Sequence, residues 1–168
     1  MRKGALLIMT LAVVMIVIGA VFVYKSYSSN TGVVNFKAAD GPLANISAAY
    51  LTFETISVYS GNSKWTNYST GNVTLNILGK TASNPSPIVS LILGAQAYTM
   101  FRVSIKNVTI VYSGKAIGMN VTSSFASVEY SLNVTSGSTS SLIFEFNLQT
   151  DIDITTQQFT PTIYGVTS

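Results

Sequence analysis

The residues of this sequence that could carry out chemistry are carboxylates, lysines, hydroxyls and asparagines, because histidine and cysteine are both absent. Without them the chain has no Ser-His-Asp or Cys-His arrangement and none of the usual zinc or haem ligand sets. No glycine-rich phosphate loop is present either. We therefore expect no catalytic residue, no metal site and no cofactor, and we predict that the protein is not an enzyme.

Two neighbouring carboxylates are the remaining candidates for a reactive site. Asp151 and Asp153 are separated by one residue, so on a strand they would lie on the same face. That spacing suits a calcium site or a glycosidase pair. A solvated strand end, with Ile152 and Ile154 as its buried partners, explains the same pattern more simply, and we favour this second interpretation.

Acceptor motifs for N-linked sugars form the one chemical pattern that repeats. Asparagine followed two residues later by serine or threonine occurs at Asn45, Asn67, Asn72, Asn107, Asn120 and Asn133. Attached sugars must project from the surface, so these positions predict exposed asparagines. Asn107 and Asn133 precede apolar strand positions, and we expect that some of the six motifs are not used.

The elements that must position these residues are strands. From Val34 onward, apolar and polar residues alternate with a period of two, and no stretch after Tyr24 has a helical period. Turn residues such as Ser113-Gly114 and Ser136-Gly137 separate the runs. This pattern predicts an all-β domain over residues 32–168, an antiparallel β-sandwich of seven to nine strands, either immunoglobulin-like or prealbumin-like.

Three of the predicted strands have particular features. The alternation changes phase at Glu54-Thr55 and again at Lys106-Asn107, and such a slip inside a long strand indicates a β-bulge. Ile88 to Leu93 is uniformly apolar and is either a buried strand or a short helix. Pro161 makes the last run, Phe159 to Val166, an edge strand.

The first 25 residues differ from the rest of the chain. Gly4 to Tyr24 are 21 residues without a charge, and as a helix they would span about 31 Å, close to the hydrocarbon thickness of a bilayer. Arg2 and Lys3 precede this run and only Lys25 follows it, which places the N-terminus in the cytoplasm. We predict a single-pass membrane helix over residues 1–25, a linker over 26–31 and an extracellular domain.

The residues Arg2-Lys3-Gly4-Ala5-Leu6, followed directly by the apolar run, resemble the processing site of archaeal type IV pilins and archaellins. The resemblance implies cleavage between Gly4 and Ala5 on the cytoplasmic side, with the hydrophobic helix retained for a filament core. A simple signal anchor and a conventional cleaved signal remain alternatives. In the latter case the protein would be secreted.

The net charge of +3 comes entirely from Arg2, Lys3 and Lys25. Residues 26–168 carry six basic and six acidic side chains, so no basic patch is available for nucleic acid and we predict none as a partner. Charged residues make up 9% of the chain, well below the roughly 25% of ordinary soluble domains. With so few carboxylates to protonate, the domain should tolerate acid.

A second resemblance covers nearly the whole outer domain. The order of its features is similar to that of the extracellular domain of unknown function 4382, a family that implies an exported β-sandwich and supplies no known catalytic residues. The matching features are Gly32-Val33-Val34, Asp40-Gly41-Pro42, the strand Ala49 to Tyr59, Trp65, Gly94 to Tyr98, the strand Phe101 to Tyr112, Gly114 and Phe159-Thr160-Pro161.

These observations give two functional hypotheses. The first is a non-enzymatic structural protein of the cell surface, a pilin-like filament or adhesion subunit anchored in the membrane by residues 4–24. The second is a membrane-tethered extracellular binding module that contacts a surface layer, a glycan or a partner of a secretion machine. Edge strands that few charges protect would allow self-assembly or pairing with other surface proteins.

Overall fold

The computed structural model describes residues 30–61 and 64–167, which form β-structure almost throughout. In chain order the elements are β1 (Thr31–Ala39), β2 (Ile46–Ser60), β3 (Lys64–Asn76), β4 (Ser86–Gly94), β5 (Ala97–Tyr112), β6 (Lys115–Val121), β7 (Phe125–Asn133), β8 (Thr139–Phe146), α1 (Leu148–Asp151), β9 (Ile152–Asp153), β10 (Gln158–Phe159) and β11 (Ile163–Thr167). The predicted membrane helix lies outside the described residues. Within them, no helix has the length and apolar character needed to cross a membrane.

The strands form two sheets. The smaller has the order β11-β8-β1-β4, and the larger has the order β3-β2-β5-β6-β10-β9, with β7 also paired to β5. The prediction of an all-β fold is confirmed. The sheets are mixed, however, and not purely antiparallel, because β1 pairs with β8 and β6 with β10 in parallel. Alternation with a period of two is the same in both directions of pairing, so the sequence pattern could not reveal these two parallel ladders.

Side chains from both sheets meet in one hydrophobic core. The ring of Phe36 on β1 lies 6.1 Å from Phe101 of the larger sheet and 5.9 Å from Phe144 on β8. A second contact joins Phe53 on β2 to Phe146 on β8, at 6.1 Å between ring centroids. All of these rings are buried. The two sheets are therefore held face to face by aromatic packing across the core.

The two predicted phase slips are both bulges, and they lie side by side. Along the β2–β5 ladder, Thr52 pairs with Asn107 and Phe53 with Ile105, so Lys106 is skipped. The next pair is Thr55 with Ser104, which skips Glu54. Both skipped residues are exposed. The bulges keep the apolar residues of each long strand on the core side, although their spacing in the sequence changes.

Other predicted boundaries need correction or refinement. Ile88 to Leu93 belongs to a strand, β4, and not to a helix. The last run is divided into β10 and β11, which flank Pro161, because proline cannot donate to a ladder. Leu148 continues the alternation of apolar residues along β8, yet it begins the short helix α1. The first half of β3 has no clear alternation, since it lies at the sheet edge where neither face is fully buried.

Gly32 on β1 provides a test of the packing around the core. It is buried, and a Cβ atom there would lie 2.6 Å from the carbonyl oxygen of Thr135 and 2.8 Å from Cγ1 of Val134. We predict that Gly32→Ala lowers the free energy of unfolding by about 1–3 kcal/mol, because the backbone must shift to relieve this overlap. Urea denaturation of the variant and of the unchanged protein would measure this loss of unfolding free energy.

Gly118 on β6 is the matched control, because a Cβ there would meet open space. Gly118→Ala should leave the free energy of unfolding within about 0.5 kcal/mol of the unchanged protein. Equal stability of the Gly32→Ala and Gly118→Ala variants would contradict the packing described for β1.

Candidate functional site

The outer face of the larger sheet carries a cluster of aromatic side chains around one arginine. Tyr59 on β2 pairs with Trp65 on β3, and Arg102 on β5 lies opposite Ser57 of β2. Phe125 on β7 reaches the same cluster from the other side of β5. We call Tyr59, Trp65, Arg102 and Phe125 the Arg102 surface. Strand register brings these residues together, since they come from four strands.

The guanidinium of Arg102 lies between two aromatic rings. Its central carbon is 4.0 Å from the centroid of Trp65 and 4.7 Å from that of Phe125. Tyr59 extends the cluster, with its ring centroid 5.3 Å from that of Trp65. Each cation–π contact at such a partly exposed site contributes about 0.5–1 kcal/mol. The stacking fixes the orientation of a side chain that would otherwise be mobile.

The cluster covers polar groups that have no partner in the described part of the chain. Ser57 is on the outer face but is fully buried, and its Oγ makes no hydrogen bond. The Nε of Arg102 is likewise buried without an acceptor. Among the described residues, nothing accepts a hydrogen bond from the guanidinium or forms an ion pair with it. The arginine is therefore held in place by aromatic faces, while its buried Nε–H has no acceptor among the described residues.

Sequence reasoning did not find this site. In the sequence, Trp65 stands out only within the family resemblance, and Arg102 is one of six basic residues among residues 26–168. A signal was nevertheless present, since Trp65 is the only tryptophan of the chain and Arg102 its only arginine besides Arg2. Their proximity depends on β2 lying between their strands, which no local pattern indicates.

The predicted sugar acceptors are distributed over the surface and do not form one site. The side chains of all six are exposed, including the two that precede apolar strand residues: Asn45, Asn67, Asn72, Asn107, Asn120 and Asn133. Two of them, Asn45 and Asn72, occupy turn conformations with positive φ. Exposure is the geometry that glycosylation needs, and the modification itself stays a prediction. The predicted processing site, Gly4 and Ala5, lies outside the described residues.

The two neighbouring aspartates do not share an environment. Asp151 ends α1, is buried, and accepts hydrogen bonds from the backbone N–H and the hydroxyl of Thr162. Asp153 is exposed and accepts hydrogen bonds from the backbone N–H groups of Thr155 and Thr156. Hydrogen bonds from the side chain of Thr156 and then from its backbone N–H hold the pKa of Asp153 below its usual range. The simpler interpretation of this pair, without a shared ligand, agrees with the geometry.

Asp40 is the second buried carboxylate. It follows β1, is 8% exposed, and accepts a hydrogen bond of 3.2 Å from the backbone N–H of Leu148, while its Oδ2 has no partner. Burial away from water raises the pKa of Asp40 to about 6, with a smaller contribution in the same direction from the charge of Asp151, against the lowering effect of backbone hydrogen bonds from Leu148 and Gly41. Burial also raises the pKa of Asp151. Among the described residues, no group of three or more acidic side chains could hold a metal ion.

Because the pKa of Asp40 is raised in the folded state, the free energy of unfolding should fall as the pH rises. The folded state favours the protonated carboxyl, so the stabilisation is complete below about pH 4 and is lost as the pH rises through about 6. The loss is at most about 3 kcal/mol. We predict that Asp40→Asn flattens the decline in unfolding free energy between pH 4 and pH 7, measured by urea denaturation at each pH. Asp153→Asn, at an exposed carboxylate, is the control and should show the same decline as the unchanged protein. If Asp40→Asn also shows that decline, Asp40 is not the group responsible for it.

Comparison with known proteins shows the family to which the chain belongs. No curated protein sequence matches the chain. A crystal structure of a putative cell adhesion protein from Bacteroides ovatus is similar at 11% identity and a TM-score of 0.26, over 82% of this chain and 44% of that one. The chain thus spans less than half the length of that protein, and a TM-score this low carries no argument about function. The sequence profile of the family described as Domain of unknown function (DUF4382) matches residues 31–160, most of the chain, and the protein belongs to that family.

Proposed function

We propose that this chain is a non-enzymatic cell-surface protein whose β domain binds a partner through the Arg102 surface. The observation that carries this proposal is the stacked guanidinium, which is held between Trp65 and Phe125 with no hydrogen-bond acceptor among the described residues. Tryptophan, tyrosine and arginine are the residue types that most often dominate binding energy at protein interfaces. An arginine positioned in advance loses little further conformational entropy when a partner binds.

The surroundings of this surface suit a polar partner of low charge. Glu54 on β2, whose carboxylate accepts a hydrogen bond of 3.3 Å from Ser104, lies on the same outer face, and Glu129 on β7 is exposed nearby. Their negative charges offset that of Arg102. Phe125 is 40% exposed and supplies apolar area beside these polar groups. A mixed surface of this kind fits a glycan or the polar rim of a surface protein better than a strongly charged polymer.

The position outside a membrane is part of the proposal. Residues 4–24 are uncharged and long enough to span a bilayer, and the basic residues before them favour a cytoplasmic N-terminus. A domain held there by a single helix would present the Arg102 surface to the cell exterior. The absence of histidine and cysteine from the whole sequence supports a binding role over a catalytic one.

A pilin-like structural role is the second candidate, and it rests on Arg2-Lys3-Gly4-Ala5 preceding the apolar run. Removal of the two basic residues would free the helix to pack into a filament core. We predict that mass spectrometry of the protein purified from its own cells finds a mature chain beginning at Ala5. A chain that retains Met1 would rule out this processing and leave the anchored binding module. A chain beginning after Lys25 would contradict retention of the helix in either role.

Substitutions on the Arg102 surface test the binding function. We predict that Trp65→Ala and Arg102→Lys each weaken binding of the full chain to isolated cell envelopes by about tenfold or more. Lysine keeps the charge but loses the planar group that stacks between the rings, so this variant tests the geometry and not the charge alone. The measurement is a cosedimentation isotherm at several protein concentrations, with envelopes separated into protein and polysaccharide fractions.

Tyr50→Ala is the control for this experiment. Tyr50 is on the same strand and face as Tyr59, is 41% exposed, and lies beyond the bulge at Glu54, away from the cluster. Its removal should change binding less than about twofold. Thermal unfolding of each variant would separate lost binding from lost folding. Binding that is unaffected by Trp65→Ala and Arg102→Lys in folded proteins would refute the role of this surface.

A further inference from the structure

One edge of β4 is the second exposed feature that has no partner among the described residues. β4 is the last strand of the smaller sheet and, of the described strands, pairs only with β1. From Val89 to Gly94 it pairs residue by residue with Phe36 to Thr31, and the irregularity of this ladder lies before Val89. None of these six residues is charged. The other edge of this regular segment is therefore open to another strand.

The remaining edges of the described strands are each interrupted, short or charged. β3 is broken by Gly71 and Asn72, which both have positive φ and leave the ladder. β11 has five residues, and its register shifts at Tyr164. β9 and β10 have two residues each. β6 and β7 carry Lys115 and Glu129. These features are the usual protection against edge pairing, and the regular part of β4 has none of them.

The side chains of β4 leave the hydrophobic core open at this edge. Val89 and Leu91 point toward the core but are only partly buried, because none of the described strands lies beyond them. On the opposite face, Ile92 is 71% exposed and lies beside Val33 of β1. Apolar residues therefore stand at the edge on both faces of the sheet. An added strand with apolar side chains on both faces would cover them.

We propose that β4 pairs in an antiparallel manner with β4 of a second copy of this chain, across a two-fold axis. Such a pair joins two four-stranded sheets into one continuous sheet and uses the same edge on both copies, so it closes after two molecules. Self-pairing about a two-fold axis brings the edge residue at the axis next to its own counterpart and the residues beside it close to one another, so charges near the axis would repel. β4 has no charged residue from Val89 to Gly94, so no such repulsion opposes its self-pairing.

This pairing is independent of the Arg102 surface, which lies on the other sheet. In the dimer the partly buried Val89 and Leu91 of one copy would pack against core-facing residues of β4 of the second copy, extending the core across the axis. Ile92 would lose its exposure in the same way. The edge requires an uncharged, regular strand with apolar residues on both faces. β4 of a second copy is such a strand.

Single cysteines provide a direct test because the chain has none of its own. We would replace Ser90, Leu91 or Ile92 by cysteine, one at a time, in the full chain solubilised in detergent, and follow disulfide formation under mild oxidation. In an antiparallel pair about a two-fold axis one residue lies opposite its own copy, whereas the residue on either side of it is offset from its own copy by two positions, or roughly 7–8 Å. One of the three variants should therefore cross-link at least about tenfold faster than Thr66→Cys, an exposed position on the edge strand β3.

A charge at the edge provides the second measurement. Ile92→Lys adds a positive charge to each copy within the paired segment, near the axis, and should raise the dissociation constant of the dimer by about tenfold or more, measured by analytical ultracentrifugation. Tyr164→Lys, at a side chain that is 80% exposed on the opposite edge strand of the same sheet, should change it less than about twofold. Cross-linking at all three positions no faster than at Thr66→Cys would overturn the proposal, as would association that Ile92→Lys leaves unchanged.

Discussion

The long antiparallel pairing of β2 with β5 is the constraint on which the rest of this structure depends. The two strands have 15 and 16 residues and pair along almost their whole length. In a strand of this length with strict alternation, the residues on the core side would all have odd numbers or all have even numbers. Here Leu51 and Phe53 have odd numbers while Ile56 and Val58 have even numbers, yet all four are buried. The bulge at Glu54 reconciles the two halves, because it adds one residue without adding a pair.

The same pairing also produces the outer face. With the register reset at Glu54 and Lys106, Ser57 and Arg102 lie opposite each other on the side away from the core. The small serine leaves room for the arginine side chain to cross β2 and reach Trp65 on β3. Without the bulges, the residues that now form the Arg102 surface would point into the core, where an unpaired guanidinium is strongly disfavoured. Core and candidate binding surface are thus two consequences of one register.

Much of the local organisation could be predicted from the sequence. Both bulges follow from a change of phase in the alternation, and the turn at Ser113-Gly114 follows from its residue types, since both residues adopt positive φ in a two-residue hairpin between β5 and β6. The parallel ladder between β1 and β8 could not be predicted in this way, because about a hundred residues separate strands that carry no signal of their partner. The buried environment of Asp40 was missed for the same reason, since it depends on Leu148 of a distant helix.

The sequence by itself determined the class of the domain, the positions of its bulges, its low charge and the absence of histidine and cysteine chemistry. These properties follow from composition and from periodicity, which are set by residues close together along the chain. Only the tertiary structure decided which strands are neighbours, and so placed Trp65 against Arg102, buried Asp40 beside α1 and left one edge of the regular half of β4 unpaired by any described strand. Such features depend on pairings between distant segments, whose stability comes from the packing of the whole core and not from any local pattern.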